Sequence, residues 1–181
     1  GGSLPMTVAC TPDSGSSFPV GSTTVTCTVT DGWQKTDACT FAITVLAPPR
    51  ISATKFVAFG DSITEGDLAV GTSFLIASAL TSYPVSLRGF LTSRYSSQSI
   101  VVVNAGLGGE RVTGAGRTRL QSVLTRERPE VLLLMEGVND LNFLGAAGVP
   151  NIITALRSMV RDTKNQGVRV FLGTLLPQRP G

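Results

Sequence analysis

The sequence predicts an α/β fold, a doubly wound parallel sheet, preceded by part of an antiparallel β-sandwich. Three observations predict it. Residues 1–47 alternate apolar and polar side chains with a period of two. From Ala53 onward, short apolar runs alternate with stretches of helical spacing, and the first three of those runs each end in a polar cluster rich in glycine. Period two describes strands with one face in a core, while strands alternating with helices give a parallel sheet covered on both faces.

In the first part, Thr24-Val25-Thr26-Cys27-Thr28-Val29-Thr30 and Cys39-Thr40-Phe41-Ala42-Ile43-Thr44-Val45 carry the alternation, and Asp31-Gly32 opens the turn between them. Gly15, Pro19 and Gly21 punctuate the segment before. A meander of this kind belongs to a β-sandwich. Leu46-Ala47-Pro48-Pro49-Arg50 reads as linker, since two prolines supply no ladder donors and keep the chain extended. The boundaries expected are 1–47 for the sandwich portion, 48–52 for the linker and 53–181 for the α/β portion.

The stretch from Cys10 to Cys27, with Ser14-Gly15-Ser16 and Phe18-Pro19-Val20-Gly21 at its centre, followed by Thr30-Asp31-Gly32 and Cys39-Thr40-Phe41, resembles the second half of a hyalin-repeat (HYR) module. That resemblance implies an Ig-like, extracellular module, present here only in part. Asp31-Gly32-Trp33-Gln34 departs from the family's usual Asp-x-x-Gly-Asn turn. Cys10, Cys27 and Cys39 all fall on inward-facing positions, which suits three buried thiols as well as a bridge. The resemblance favours a Cys10–Cys27 disulfide, leaves Cys39 without its partner, and with it implies an oxidising compartment and a secreted protein.

The second part runs as follows. Lys55–Phe59 is a short apolar run stopped by Gly60. Pro84–Arg94 has apolar residues at Val85, Leu87, Phe90 and Leu91, a helical stripe with proline near its first turn. Ile100–Val103 is a strand. Leu120, Val123 and Leu124 mark a helix that stops by Pro129. Val131–Met135 is a strand, Ile152–Val160 a helix and Val168–Leu175 a strand. Asp67–Pro84 is a mildly apolar insertion, read as a helix or loop that completes the core or lines an acyl pocket.

Ligands of such sheets sit beyond the carboxyl ends of the strands. There the sequence places Gly60-Asp61-Ser62-Ile63-Thr64, Asn104-Ala105-Gly106-Leu107-Gly108-Gly109 and Glu136-Gly137-Val138-Asn139-Asp140. Ser62 follows a glycine that permits a tight turn, and backbone N–H groups together with the Asn139 amide suit a developing oxyanion. Acyl transfer is the chemistry that fits. The bland alternatives are an N-cap for Ser62 and an Asx-turn for Asn139.

These clusters resemble the first three sequence blocks of the GDSL/SGNH hydrolases: Gly-Asp-Ser-Ile, Asn-Ala-x-x-x-Gly and Gly-x-Asn-Asp. The resemblance covers Ala53 to about Pro177. It implies an SGNH-type, flavodoxin-like sheet, incomplete here, with Ser62 as nucleophile and Gly109 and Asn139 as oxyanion donors. Gly108 is the neighbouring alternative to Gly109, and Asp61 and Asp140 are implied to brace the loops. The rival, a phosphate-binding loop, fails because Arg111 takes the last place of Gly-x-Gly-x-x-Gly and Ala115 follows Gly114 where a lysine belongs.

The chain contains no histidine, whereas the resemblance implies a late Asp-x-x-His block that supplies the base. A chain running from Gly1-Gly2-Ser3 to Arg179-Pro180-Gly181 is therefore expected to have lost both ends and to be inactive by itself. No cofactor or metal is expected without histidine or clustered cysteines. The expected partner is a small-molecule or polysaccharide ester, with glycan or cell-surface attachment through the Ig-like portion. The other reading is a non-catalytic adhesion or glycan-binding protein built on a hydrolase scaffold.

Composition narrows the rest. Of 181 residues, 42% are hydrophobic and 15% charged, enough to pack a core and too apolar for disorder. The net charge of +3 comes from arginines scattered through the second part and not interleaved with aromatics, so nucleic acid is not an expected partner. No uninterrupted apolar run reaches the roughly 18 residues of a membrane span, and no targeting signal is visible within the sequence.

Overall fold

The fold is that of a computed structural model, which describes residues 2–70, 74–77 and 82–175. The chain divides into two compact units, residues 1–48 and 49–181.

The first unit is a three-stranded antiparallel sheet in the order β1 (Thr7–Thr11), β2 (Gly21–Thr30), β3 (Thr36–Val45). Register sets Cys10 opposite Cys27 and Cys27 opposite Cys39, so all three point to one face. Cys10 and Cys27 form a disulfide, and Cys39 is free and exposed. The β2–β3 turn is organised by the buried Asp31, whose Oδ1 accepts the N–H groups of Trp33 and Lys35, each at 2.9 Å. The inward phase read from the sequence is therefore present but largely exposed: Val25 is buried, whereas Val8, Cys39 and Phe41 are exposed, because the described residues of this unit form one sheet without a second layer of their own.

The second unit is a parallel sheet in the order β7 (Val101–Gly106), β4 (Lys55–Gly60), β8 (Val131–Met135), β9 (Arg169–Leu172). β4 is central: Gly60 lies opposite Gly106 on one side and Met135 on the other, so the three strands finish at one level. Alternate residues of β4 feed two cores. Val57 and Phe59 pack with Leu120, Val123 and Leu124 of α3 (Arg117–Glu127) and with Ile152 and Met159 of α5 (Val149–Lys164). Phe56 faces the other way, in a smaller cluster with Ala53, Ile100, Val131 and, on α2 (Tyr83–Arg94), Leu91. Helices thus cover both faces of the sheet.

Several elements depart from the sequence reading. On α2 the buried Pro84 and the half-buried Leu87 and Leu91 share an inward-leaning face, while Val85 and Phe90 are exposed. α5 begins earlier and ends later than expected, with Pro150 in its first turn and Thr163 buried near its end. β9 is shorter than the apolar run that suggests it, and it is the outer strand of the sheet among the described residues, with Phe171 and Leu172 exposed. The insertion after Ser62 contains an antiparallel pair, β5 (Asp67–Val70) and β6 (Phe74–Ala77), instead of a helix. Its remainder, 71–73 and 78–81, lies outside the described residues. By composition, Val138–Lys164 passes for a membrane segment. The run is interrupted at Gly145, and Ile152 and Met159 on it are buried in the core of this unit.

Candidate active site

Each of the three polar clusters becomes the loop after one strand. After β4, Asp61 caps the four-residue helix α1 (Ser62–Glu65), its Oδ1 accepting the N–H of Ile63 at 3.0 Å. Gly60 has no room for a side chain, because a Cβ there would stand 2.5 Å from the carbonyl oxygen of Met135. Ser62 is half-buried and is the first residue of its helix, where an N–H has no intrahelical acceptor.

After β7, Asn104 ties its own loop to α1. Its amide donates to Glu65 O at 3.1 Å, and its Oδ1 accepts the N–H of Gly106 at 2.9 Å. A Cβ on Gly106 would fall 2.1 Å from the Glu65 nitrogen, so backbone packs on backbone and only glycine fits. This close approach brings the next glycines to the serine: a Cβ built on Gly108 would lie 3.9 Å from the Ser62 Cβ. The N–H of Gly108 donates to Glu65 Oε2 at 2.5 Å. Gly109, at a φ of +74°, has open space beside it.

After β8, Gly137 at a φ of +117° leads into α4 (Val138–Leu144). Asn139, its second residue, donates from Nδ2 to the carbonyl of Glu110 at 2.9 Å. That bond uses one amide proton and leaves the other free to point elsewhere. Asp140 is fully buried and holds the far end of the glycine loop, accepting from Val112 N at 2.8 Å, Thr113 N at 3.0 Å and Thr113 Oγ1 at 2.5 Å. Those donors open the π-helical turn Val112–Gly116 that precedes α3.

The residues 58–181 match the model of the GDSL-like lipase/acylhydrolase family. The chain belongs to that family. Residues 4–45 match the HYR domain. Among solved structures, AlinE4, an SGNH-hydrolase family esterase, is similar at 25% identity and a TM-score of 0.53, over 68% of this chain and 60% of its own. Axe2-W215I, an acetyl xylan esterase from Geobacillus stearothermophilus, is similar at 27% identity and a TM-score of 0.50, over 67% of this chain and 60% of its own. LAE5, an α/β hydrolase from the metagenome of Lake Arreo, Spain, shares the fold at 24% identity and a TM-score of 0.52 over 66% of this chain. The chain thus spans about 60% of the length of these relatives. No curated protein sequence matches it.

Beneath the three loops of this GDSL-family unit lies a cluster that the sequence did not single out. Arg119 of α3 pairs with Glu110, Nε donating to Oε1 at 2.7 Å and Oε2 at 2.9 Å. Glu136 and Asp61 are buried in the same region, where their charges and that of Glu110 act on one another. Burial above all, then a hydrogen bond to Glu110 and its charge, push the Glu136 carboxyl up to about 9. As carboxylates, its two oxygens would find no donor among the described residues. Burial thus favours the neutral form of the Glu136 carboxyl at neutral pH. Asp61 is also raised, first by burial and to a smaller degree by Glu110, against the pull of the Ile63 N–H. Among the described residues no group of histidine, cysteine, aspartate or glutamate is disposed to hold a metal ion.

Proposed function

We propose that this chain carries the nucleophile and oxyanion hole of an extracellular serine ester hydrolase. The observation that carries the reading is the approach of the Gly108–Gly109 loop to Ser62, with Asn139 tethered to the same loop through Glu110 O. In the mechanism, Ser62 Oγ attacks the ester carbonyl carbon and the carbonyl π electrons move onto oxygen. The N–H groups of Ser62 and Gly109 and the free proton of Asn139 Nδ2 receive that charge. Gly109 is preferred to Gly108 as donor, because Gly108 N–H is already engaged by Glu65. The tetrahedral species collapses to an acyl-serine with loss of the alcohol, and water then cleaves the acyl-serine.

The proton of Ser62 needs a base; the sequence has no histidine, and the acidic residues of the three loops are poor bases at neutral pH. The base comes, on this reading, from a further histidine-bearing segment, and the 181-residue chain alone is inactive or nearly so. An HYR domain and a disulfide support an extracellular setting. The HYR-like unit, residues 1–47, serves attachment or spacing. The substrate class is a carboxylic ester; the acetyl xylan esterase among the similar structures makes an acetylated polysaccharide the first to try.

The test is hydrolysis of p-nitrophenyl acetate and acetylated xylan by a longer form of the protein that includes an Asp-x-x-His block. Turnover is expected there and not in the 181-residue chain. Ser62→Ala should abolish it and Asn139→Ala should lower kcat by about 10²–10³-fold. Activity that survives Ser62→Ala overturns the reading. A longer form with no turnover that binds glycans through the same face would favour the scaffold reading instead.

A further inference from the structure

Arg119 does more than neutralise Glu110. Its Nη1 donates to the carbonyl of Ala105 at 2.9 Å and its Nη2 to the carbonyl of Gly60 at 3.2 Å. The guanidinium stacks over the ring of Phe59, 3.9 Å from its centroid. Gly60 ends β4 just before Asp61-Ser62, and Ala105 lies next to the end of β7 just before the glycine loop. Glu110, held by the same guanidinium, offers its backbone carbonyl to Asn139 Nδ2. One planar group therefore touches the loops after β4 and β7 directly and reaches the loop after β8 through Glu110. A charge pair that only stabilised the core would need Glu110 alone; here two further donors go to the carbonyls at adjacent strand ends.

We propose that Arg119 is a positioning residue for the hydrolytic site: by holding Gly60 O, Ala105 O and the Glu110 carboxylate on one guanidinium, it fixes Ser62, the Gly108–Gly109 loop and the Asn139 amide relative to one another. The proposal rests on the roles of Ser62 and Asn139 given above. A lysine cannot replace it, because an ammonium lacks the planar fork that spans acceptors on three segments. Small errors at such a site matter, since a displacement on the order of 1 Å costs about 10²-fold in rate.

Two measurements on the 181-residue chain test it, comparing wild type with Arg119→Lys, Arg119→Met and the milder Glu110→Gln. The first is amide hydrogen exchange of the Asn139 side chain by NMR. In the wild type one Nδ2 proton, the one bonded to Glu110 O, should exchange slowly. In the Arg119 variants it should exchange at least about tenfold faster while the β4 and β8 backbone amides stay protected. Glu110→Gln should show a smaller change in the same direction.

The second is labelling of Ser62 by a fluorophosphonate with added imidazole as base, read by peptide mapping. The Oγ–P bond forms, the P–F bond breaks, fluoride leaves and imidazole takes the proton. Arg119→Lys should slow labelling by about tenfold or more, and adding Asn139→Ala to it should slow labelling by less than the product of the two single effects. Unchanged Asn139 exchange in folded Arg119→Lys and Glu110→Gln would overturn the positioning role. Absence of Ser62 labelling in wild type, or labelling indifferent to Asn139→Ala, would instead strike at the reading of the site, and the exchange data would still decide the clamp.

Discussion

In the N-terminal sheet Val8, on an inward-phase position of β1, is 68% exposed; in the α/β unit Val57, in the middle of β4, is 0% exposed. The same side chain on the same type of element meets two environments because β4 is flanked by strands and covered on both faces, whereas β1 is an edge strand of a single layer. The first unit rests on two long ladder strands, the Asp31 turn and the Cys10–Cys27 bridge. The second rests on burial. A few strands with one open face bury too little apolar surface to be stable by packing alone, so cross-link and core substitute for each other between the two halves of one chain.

The comparison is broken first in the core. Leu132→Ala, at a fully buried position of β8, should cost about 2–5 kcal/mol, read as a lower thermal midpoint for residues 53–175 with hydrogen exchange in residues 7–45 unchanged. Reducing the Cys10–Cys27 bridge should do the reverse. Its 17-residue separation corresponds to about 3 kcal/mol of loop entropy, enough to open the N-terminal sheet to exchange and proteolysis while the α/β transition stays put. Parallel losses in both units under either treatment would show that they do not behave independently.

Those experiments test what was legible in advance. Period two marked β2 and β3, and three apolar runs each followed by a polar cluster marked β4, β7 and β8 and the loops at their ends, because both signals are local. What escaped is non-local. In sequence Arg119 is one more of the arginines scattered through the second part; its partner Glu110 is nine residues upstream across an irregular π-helical turn, a separation with no helical or strand period. Glu136 had a signal available, an acidic residue immediately after a wholly apolar buried strand, but its raised carboxyl depends first on the burial that folding brings and then on Glu110 beside it. The half-used stripe of α2 shows the converse: apolar content is readable, and what covers it is not.

Glu136 gives the core a pH dependence opposite in sign to that of the N-terminal sheet, where the Lys35 N–H holds Asp31 below its ordinary value. Its folded value of about 9 lies above the ordinary 4.5, so its contribution is complete below pH 4.5 and is lost as pH rises to about 9. The wild type should therefore lose stability relative to Glu136→Gln across that window, at no more than about 1.4 kcal/mol per pH unit. Urea denaturation of the two proteins at pH 5, 7 and 9 checks the sign; a wild type that gains stability relative to Glu136→Gln with rising pH would contradict it. The smallest effect belongs to Val8→Thr, which should leave N-terminal stability within about 0.5 kcal/mol by the same titration, since that methyl is already in water.

Strand β9 carries a different consequence. Its outer side has no neighbouring strand among the described residues, and Phe171 and Leu172 stand exposed along it with only Arg169 to discourage company. Unpaired N–H and C=O groups beside apolar side chains form a template on which another chain's strand can register. For this polypeptide the variable that governs handling is then concentration as much as temperature. A dilute solution keeps the template vacant, and a crowded one supplies the strand that fills it.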